Sequence, residues 1–268
     1  AESWDVQEDG LVIVFHLRRN VRWHDGQLFT ARDVQFTYER LIDPTIPTPY
    51  GGDFERVESL EVVDDFAVKI RYKEPFAPGL ASWGMWIMPR HLLEGADWST
   101  TPFARHPIGT GPYRFRRWKT GELIELAANP EYFEHRPRMD RYLYRIIPDQ
   151  ATTFLELSTQ QVDLSGLTPL QYRRQIDTPF FRSHYRAFRH PSFGYTYLGY
   201  NLQRPLFADL RVRQAINAAV NKQEIIEGVL MGLGRVSTGP FPPESWAYDP
   251  QITPEPYDPV KARVLLAE

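Results

Sequence analysis

Residues 11–44, LVIVFHLRRNVRWHDGQLFTARDVQFTYERLIDP, leave few folds open to the chain. Leu11–Leu17 is apolar and β-branched enough for a strand buried on both faces. Val21 and Trp23 then alternate with Arg22 and His24 as a short second strand, and Asp25-Gly26 supplies turn chemistry. A helix starts at Thr30, a good N-cap. Asp33 stands at N3 as a variant of the capping box, and Phe29 and Val34 are spaced as a hydrophobic staple. Strand, turn and capped helix in immediate succession require a sheet with helices laid on it.

The rest of the chain repeats that alternation, so the expected class is mixed α/β. Val57–Val63 and Ala67–Tyr72 read as a hairpin around Asp64-Asp65. Residues 74–107 are rich in Pro, Trp and Gly and read as short helices and loops, one of them starting near Met88–Leu93. Strands follow at Tyr113–Trp118, Glu122–Ala128 and around Tyr142, Tyr144 and Ile146. Thr152–Gln161 reads as a helix and Val162–Ser165 as a short strand. Thr168-Pro169 is a helix start with Pro at N1. Tyr185–His190 and Gly194–Tyr200 are expected strands. From Asp209 onward the apolar spacing becomes helical, with Val212, Ile216, Ala219 and Val220 as its stripe. Asn221 with Glu224 forms a second capping box, Gly232 and Gly234 end that helix, and Asp258-Pro259 opens a last one.

Chemistry-bearing patterns are sparse. His24-Asp25 looks like half of a catalytic relay, but neighbours in an extended chain point to opposite faces, so turn chemistry is the expected role. His184 and His190 are too far apart to share an ion, and no metal-binding or nucleophile-elbow motif occurs. Gly109-Thr110-Gly111-Pro112 lacks the Lys-Ser/Thr of a phosphate loop and fits a tight crossover. The basic run Arg136–Arg145 is diluted by Asp140, and with a net charge of −3 overall it gives no footprint for nucleic acid. There is no cysteine, so disulfides and thiolate chemistry are excluded, and no apolar run is long enough to span a membrane. Trp83 and Trp86 are expected in the core. Aromatic residues make up 14% of the chain, enough to line a cleft as well as fill a core.

Three blocks resemble family 5 extracellular solute-binding proteins, the peptide and nickel receptors of bacterial ABC importers. Ala1–Leu41 is similar to that family's "AxSW…DG" and "FxLRxxVxWHDGxxFTAxDV" runs. Gly109–Phe133 is similar to "GTGPYxxxxWxxGxxIxLxxNPxYW", and Asn201–Pro243 to a later block containing "DxRVRxA" and "PxPP". The resemblance implies a periplasmic binding protein-like fold of class II, cluster C type, with mixed sheets, helices, two lobes and an inserted subdomain. Residues 1–33 and 109–189 would form the first lobe, 34–108 the inserted subdomain, and 190–268 the start of a second lobe. Both ends read as cut, so the chain is expected to be a fragment lacking an export signal and the later half.

The same resemblance implies a substrate-binding component that captures a small solute, with a peptide as the default, and delivers it to ABC permease subunits. It implies no enzyme activity and no cofactor, and a periplasmic or surface-tethered location. The ligand-binding positions it points to are Tyr50, Gly166, Leu167, Thr168, Tyr195, Tyr197, Tyr200 and Asn201. The rivals are a cytoplasmic sensor that reuses this fold and a hydrolase built on His24.

Overall fold

The computed structural model describes residues 1–190 and 194–268, which fall into two compact units, 1–147 and 148–268. In the first unit, strands β1 (Ser3–Gln7) and β2 (Val12–His16) precede helix α1 (Ala31–Leu41). The hairpin β3 (Val57–Asp64) and β4 (Ala67–Tyr72) follows, and the four strands form one antiparallel sheet in the order β1-β2-β4-β3. Residues 1–33 and the hairpin at 57–72 therefore share one sheet.

Register decides which side chains meet. Trp4, Phe15, Val68 and Val62 lie in one row and Val6, Ile13, Ile70 and Leu60 in the next, all on the same face. Helix α1 covers that face with Ala31 and Val34, and Phe54, Val57 and Tyr72 complete the buried core. The opposite face is charged: Asp5 meets His16 at 2.9 Å, and Glu8 forms a forked pair with Arg71 at 2.8 and 3.0 Å.

The start of α1 is the chain's best-determined local feature. The Thr30–Asp33 capping box forms, with the Thr30 N–H donating to Asp33 Oδ2 at 2.9 Å. Phe29 packs on the core cluster that contains Val34, so the staple forms too. Asp33 does more than cap. Its second oxygen accepts from the Arg90 N–H at 3.0 Å, at the start of helix α3 (Arg90–Leu93), which follows the short α2 (Gly79–Ser82). One turn later Thr37 Oγ1 accepts from the Met88 N–H at 2.9 Å. The helix thus fastens the loop that returns across it, and both polar side chains are buried.

Two expectations for this unit fail. Val21–Trp23 is no strand: a single bridge between Arg22 and Leu28 closes the turn. Trp23 and Val21 are nevertheless buried, so their spacing reflected packing without a ladder. Trp83 joins the core, with its Nε1 donating to the Tyr72 hydroxyl at 2.9 Å, but Trp86 is 88% exposed. A three-stranded antiparallel sheet, β5 (Tyr113–Lys119), β6 (Leu123–Ala128) and β7 (Arg141–Arg145), completes the unit. Tyr142 and Tyr144 share a face of it with ring centroids 4.7 Å apart.

The second unit is helical. Helix α4 (Gln150–Ser158) packs on α5 (Pro179–His184) through Phe154 and Phe181, whose rings stack at 5.4 Å. Between them a π-helical turn spans Gln171–Gln175. After α6 (Pro205–Ala208), helix α7 (Leu210–Ala219) packs on α9 (Pro259–Ala267) through Ala215, Ala218 and Ala262, with α8 (Lys222–Gly228) in between. The buried stripe of α7 is carried by these small residues, whereas Ala219 is exposed. Small side chains let two helix backbones approach closely, so Ala215 and Ala218 are buried where the stripe Val212, Ile216, Ala219 and Val220 was expected.

The caps expected at Asn221 and Asp258 form, and Asp209 caps α7 in the same way, each side chain accepting from backbone N–H groups of the first turn. Gly232 takes a φ of +72° and donates back to the Ile226 carbonyl at 2.9 Å, closing α8. The strands expected at 162–165, 185–190 and 194–200 are absent. No described residue of 148–268 is in a strand, and an extended segment becomes a strand only when a neighbour takes up its backbone hydrogen bonds. Residues 191–193, next to the lobe boundary expected at 190, lie outside the described residues.

Candidate functional site

His24 and Asp25 occupy the turn that made them look catalytic, and they diverge. The His24 backbone N–H donates to the Gly109 carbonyl at 2.9 Å. Its ring spans the same loop: Nδ1 accepts from the Gly109 N–H at 3.1 Å and Nε2 lies 3.0 Å from the Gly111 carbonyl. Because Nδ1 accepts, the ring is neutral with its proton on Nε2. Burial lowers the His24 pKa, the bond to Gly111 opposes this, and the nearby Arg114 charge adds to the lowering.

Asp25 turns the other way, accepting from the Gln27 N–H at 3.1 Å and meeting His91 Nε2 at 2.6 Å. Burial pushes its pKa up, but the bonds from His91 and Gln27 outweigh this and the net shift is downward. With both ring nitrogens engaged by backbone, His24 has no position free for a general base. The pair therefore binds three stretches together: the turn at 21–28, helix α3 and the 109–112 crossover.

A depressed histidine pKa makes stability depend on pH with a definite sign. The unfolded chain protonates His24 near its ordinary value of about 6.5, while the folded protein resists protonation. The contribution is complete above that pH and is lost as pH falls through the lower folded value. Asp25 adds a separate loss only below its own ordinary value of about 4. We expect the unfolding free-energy gap between wild type and His24→Asn to shrink between pH 7.5 and 5.5. Urea titrations followed by tryptophan fluorescence measure it, and a gap constant with pH would contradict this role.

The expected ligand-binding positions fall in three places. Tyr50 is 54% exposed and immediately precedes the 3-10 turn Gly51–Phe54. Its N–H donates to Thr48 Oγ1 at 3.3 Å. Next to it in the chain, the 43–55 loop, the end of α1, Val57 of β3 and Lys73 line a hollow of about 600 Å³. In the second unit, Gly166 is exposed and Leu167 half-buried. Thr168 forms a reciprocal cap with Gln171, at 2.9 and 3.2 Å, so its hydroxyl is already in use.

Tyr195 and Tyr197 are 50% and 72% exposed, with ring centroids 5.5 Å apart. Tyr200 instead packs on Phe207 at 5.5 Å, and Asn201 Oδ1 accepts from the Gln203 N–H at 3.0 Å. The structure thus brings Tyr195 and Tyr197 together and gives Thr168, Tyr200 and Asn201 local structural partners. The hollow was missed in the sequence, and Tyr50 is not among the residues that line it. Its signal was the Pro- and Gly-rich DPTIPTPYGGDF, a loop composition that promises a fixed shape without naming its use. Among the described residues no three His, Cys, Asp or Glu side chains gather to hold a metal ion, and no helix is long and apolar enough to cross a membrane.

Comparison with known proteins places this geometry. Heme-binding protein A of Haemophilus influenzae is 33% identical over 290 residues, spanning all of this chain and 52% of that protein. The structure of NikZ from Campylobacter jejuni in complex with Ni(L-His) superposes with a TM-score of 0.92 at 33% identity, over the whole of this chain and 53% of that one. The oligopeptide-binding protein AppA of Bacillus subtilis, in complex with a nonapeptide, superposes at 0.89 with 30% identity, covering 99% of this chain and 54% of that one. The chain spans about half the length of the curated relatives it matches. The family model for bacterial extracellular solute-binding proteins, family 5 Middle, matches residues 1–268, and the chain belongs to that family.

Proposed function

We propose that the full-length protein carrying this chain is the substrate-binding component of an ABC importer, and that its cargo is a short peptide. The observation that carries this reading is the fit of 99% of the chain to a receptor solved with a nonapeptide in place. In this reading residues 1–33 and 109–189 belong to the first lobe, 34–108 to an inserted subdomain and 190–268 to the start of the second lobe. Tyr50, Gly166, Leu167, Thr168, Tyr195, Tyr197, Tyr200 and Asn201 contact the cargo, which is released to permease subunits of the membrane. The protein works outside the cytoplasmic membrane, in the periplasm or tethered at the surface. It binds and does not turn over its ligand. The backbone-engaged His24 supports that against a hydrolase centred on this residue.

A peptide receptor needs affinity that tolerates many side chains. Backbone hydrogen bonds to an extended ligand supply it, and exposed aromatic surfaces add contact at low conformational cost. Tyr195 and Tyr197, paired at the surface of the second unit, suit that role. The test is the identity of what co-purifies with the full-length protein. Acid denaturation followed by mass spectrometry should release short peptides of mixed sequence. Haem, detected by its absorbance, or nickel as the sole bound species would replace the peptide reading. An N-terminal helix-turn-helix in the full gene would favour the sensor.

A further inference from the structure

The 109–112 crossover delivers the chain into β5, and its two sides are held in different ways. Toward its own sheet, the Asn129 N–H donates to the Pro112 carbonyl at 2.8 Å and the Asn129 side-chain amide to the Gly111 carbonyl at 3.2 Å. Arg114 of β5 donates to Asn129 Oδ1 at 2.9 Å and is paired with Glu131 at 2.7 Å. None of these groups titrates near neutrality. On its other side the crossover meets the turn at 21–28, and there the hydrogen bonds run through His24. The His24 ring lies close over the chain: a Cβ at Gly109 would sit 3.7 Å from its Cε1.

This geometry has no room for a protonated ring. Nδ1 accepts from the Gly109 N–H at 3.1 Å, and an imidazolium carries a hydrogen on both nitrogens, so two donors would face each other. The charges around the ring come from three elements. Arg114 of β5 adds a like charge, and Asp25, next in the turn, offsets it. The Asp25 carboxylate is itself engaged by His91 of α3 at 2.6 Å. That second pair answers acid in the opposite sense, because a protonated His91 holds the carboxylate more strongly. The pair fails only when Asp25 takes up a proton, below the ordinary carboxylate range.

We propose that His24 is an acid-released latch between the two sheets of the first unit. Its protonation frees the crossover, and the β5–β7 sheet with it, from the turn at 21–28, while Asp25 and His91 keep that turn fastened to α3. The opening is local. Asn129 stays with the crossover, Thr37 and Asp33 still hold the Met88 and Arg90 amides on α1, and Arg18 over Phe133 at 5.5 Å remains as a pivot. The step differs from the residue's contribution to global stability, since both sheets remain folded through it.

The experiment is hydrogen exchange of the full-length protein at about pH 7.5 and about pH 5, on either side of the ordinary histidine value. It is read residue by residue by mass spectrometry and corrected for the intrinsic pH dependence of exchange. Protection of the His24 and Gly109 amides should fall about tenfold or more in the wild type, the factor for one proton taken up on opening across one pH unit. The Met88 and Arg90 amides and those of Val68 and Ile70 in β4 should keep their protection. His24→Asn, which puts a non-titrating carbonyl oxygen where Nδ1 accepts, should remove the acid response at Gly109. His91→Gln should retain it, and with the wild-type profile it decides the matter if His24→Asn folds poorly. Unchanged protection at Gly109 in the wild type, a response that persists in His24→Asn, or one that vanishes in His91→Gln overturns the latch. So does a loss that spreads through Val68 and Ile70, because the unit then unfolds as a whole.

Discussion

Replacing Asp33 by alanine should destabilise the first unit by about 3 kcal/mol, the sum of a lost N-cap interaction and a buried N–H left without an acceptor. The loss is large because the carboxylate is buried. Asp33 is 4% exposed, and its two oxygens serve different parts of the chain, Thr30 at the start of α1 and Arg90 at the start of α3. Removing the side chain therefore frays one helix and releases the loop carrying the next. Asp33→Asn keeps one acceptor and should lose roughly half as much. Urea denaturation followed by tryptophan fluorescence reads both. A loss below about 1 kcal/mol for Asp33→Ala would mean that the link to Arg90 carries no weight in solution.

The second large effect is a contrast within the tetrapeptide Trp83-Gly84-Met85-Trp86. Trp83→Ala should cost about 3 kcal/mol. The ring lies 5.2 to 6.2 Å from those of Phe54, Tyr38 and Phe15, and its Nε1 is the donor to the buried Tyr72 hydroxyl. Trp86→Ala should change stability by no more than about 0.5 kcal/mol, because the side chain is almost wholly in solvent. The same denaturation measurement checks the pair. Equal costs at the two positions would contradict the assignment of one tryptophan to the core and the other to the surface.

What could be read from the chain in advance follows from the range of the forces involved. Capping boxes, Asx turns and hairpins are settled within a few residues, so Thr30, Asn221, Asp258 and the 57–72 hairpin appear where their local chemistry puts them. The strand β1 (Ser3–Gln7) and the pairs Asp5–His16 and Glu8–Arg71 on the first sheet, by contrast, were not read from the chain, since they depend on which strands meet. Partnership is not local. Nothing near His91 announces that it meets Asp25, sixty-six positions away, or that Thr37 will hold the Met88 amide.

Strand character at 185–200 was inferred from alternation alone, and alternation describes a side-chain pattern without supplying the neighbour that a ladder requires. The candidate site divides along the same line. Tyr195 and Tyr197 do lie close together, but without the strand from which their shared face was expected. The hollow beside Tyr50 arises because α1, the loop and β3 converge, and it could be seen only once they had.

The proposed receptor role makes Tyr50 in the first unit, and Tyr195 and Tyr197 in the second, contact residues for a peptide. Its most direct test is calorimetric titration of the full-length protein with a mixture of short peptides, repeated with Tyr50→Ala and Tyr197→Ala. Saturable binding by the wild type is expected, weakened about tenfold or more by each substitution, with unfolding midpoints unchanged because both side chains stand in solvent. Saturable binding that neither substitution alters, or no peptide binding at all, would contradict it.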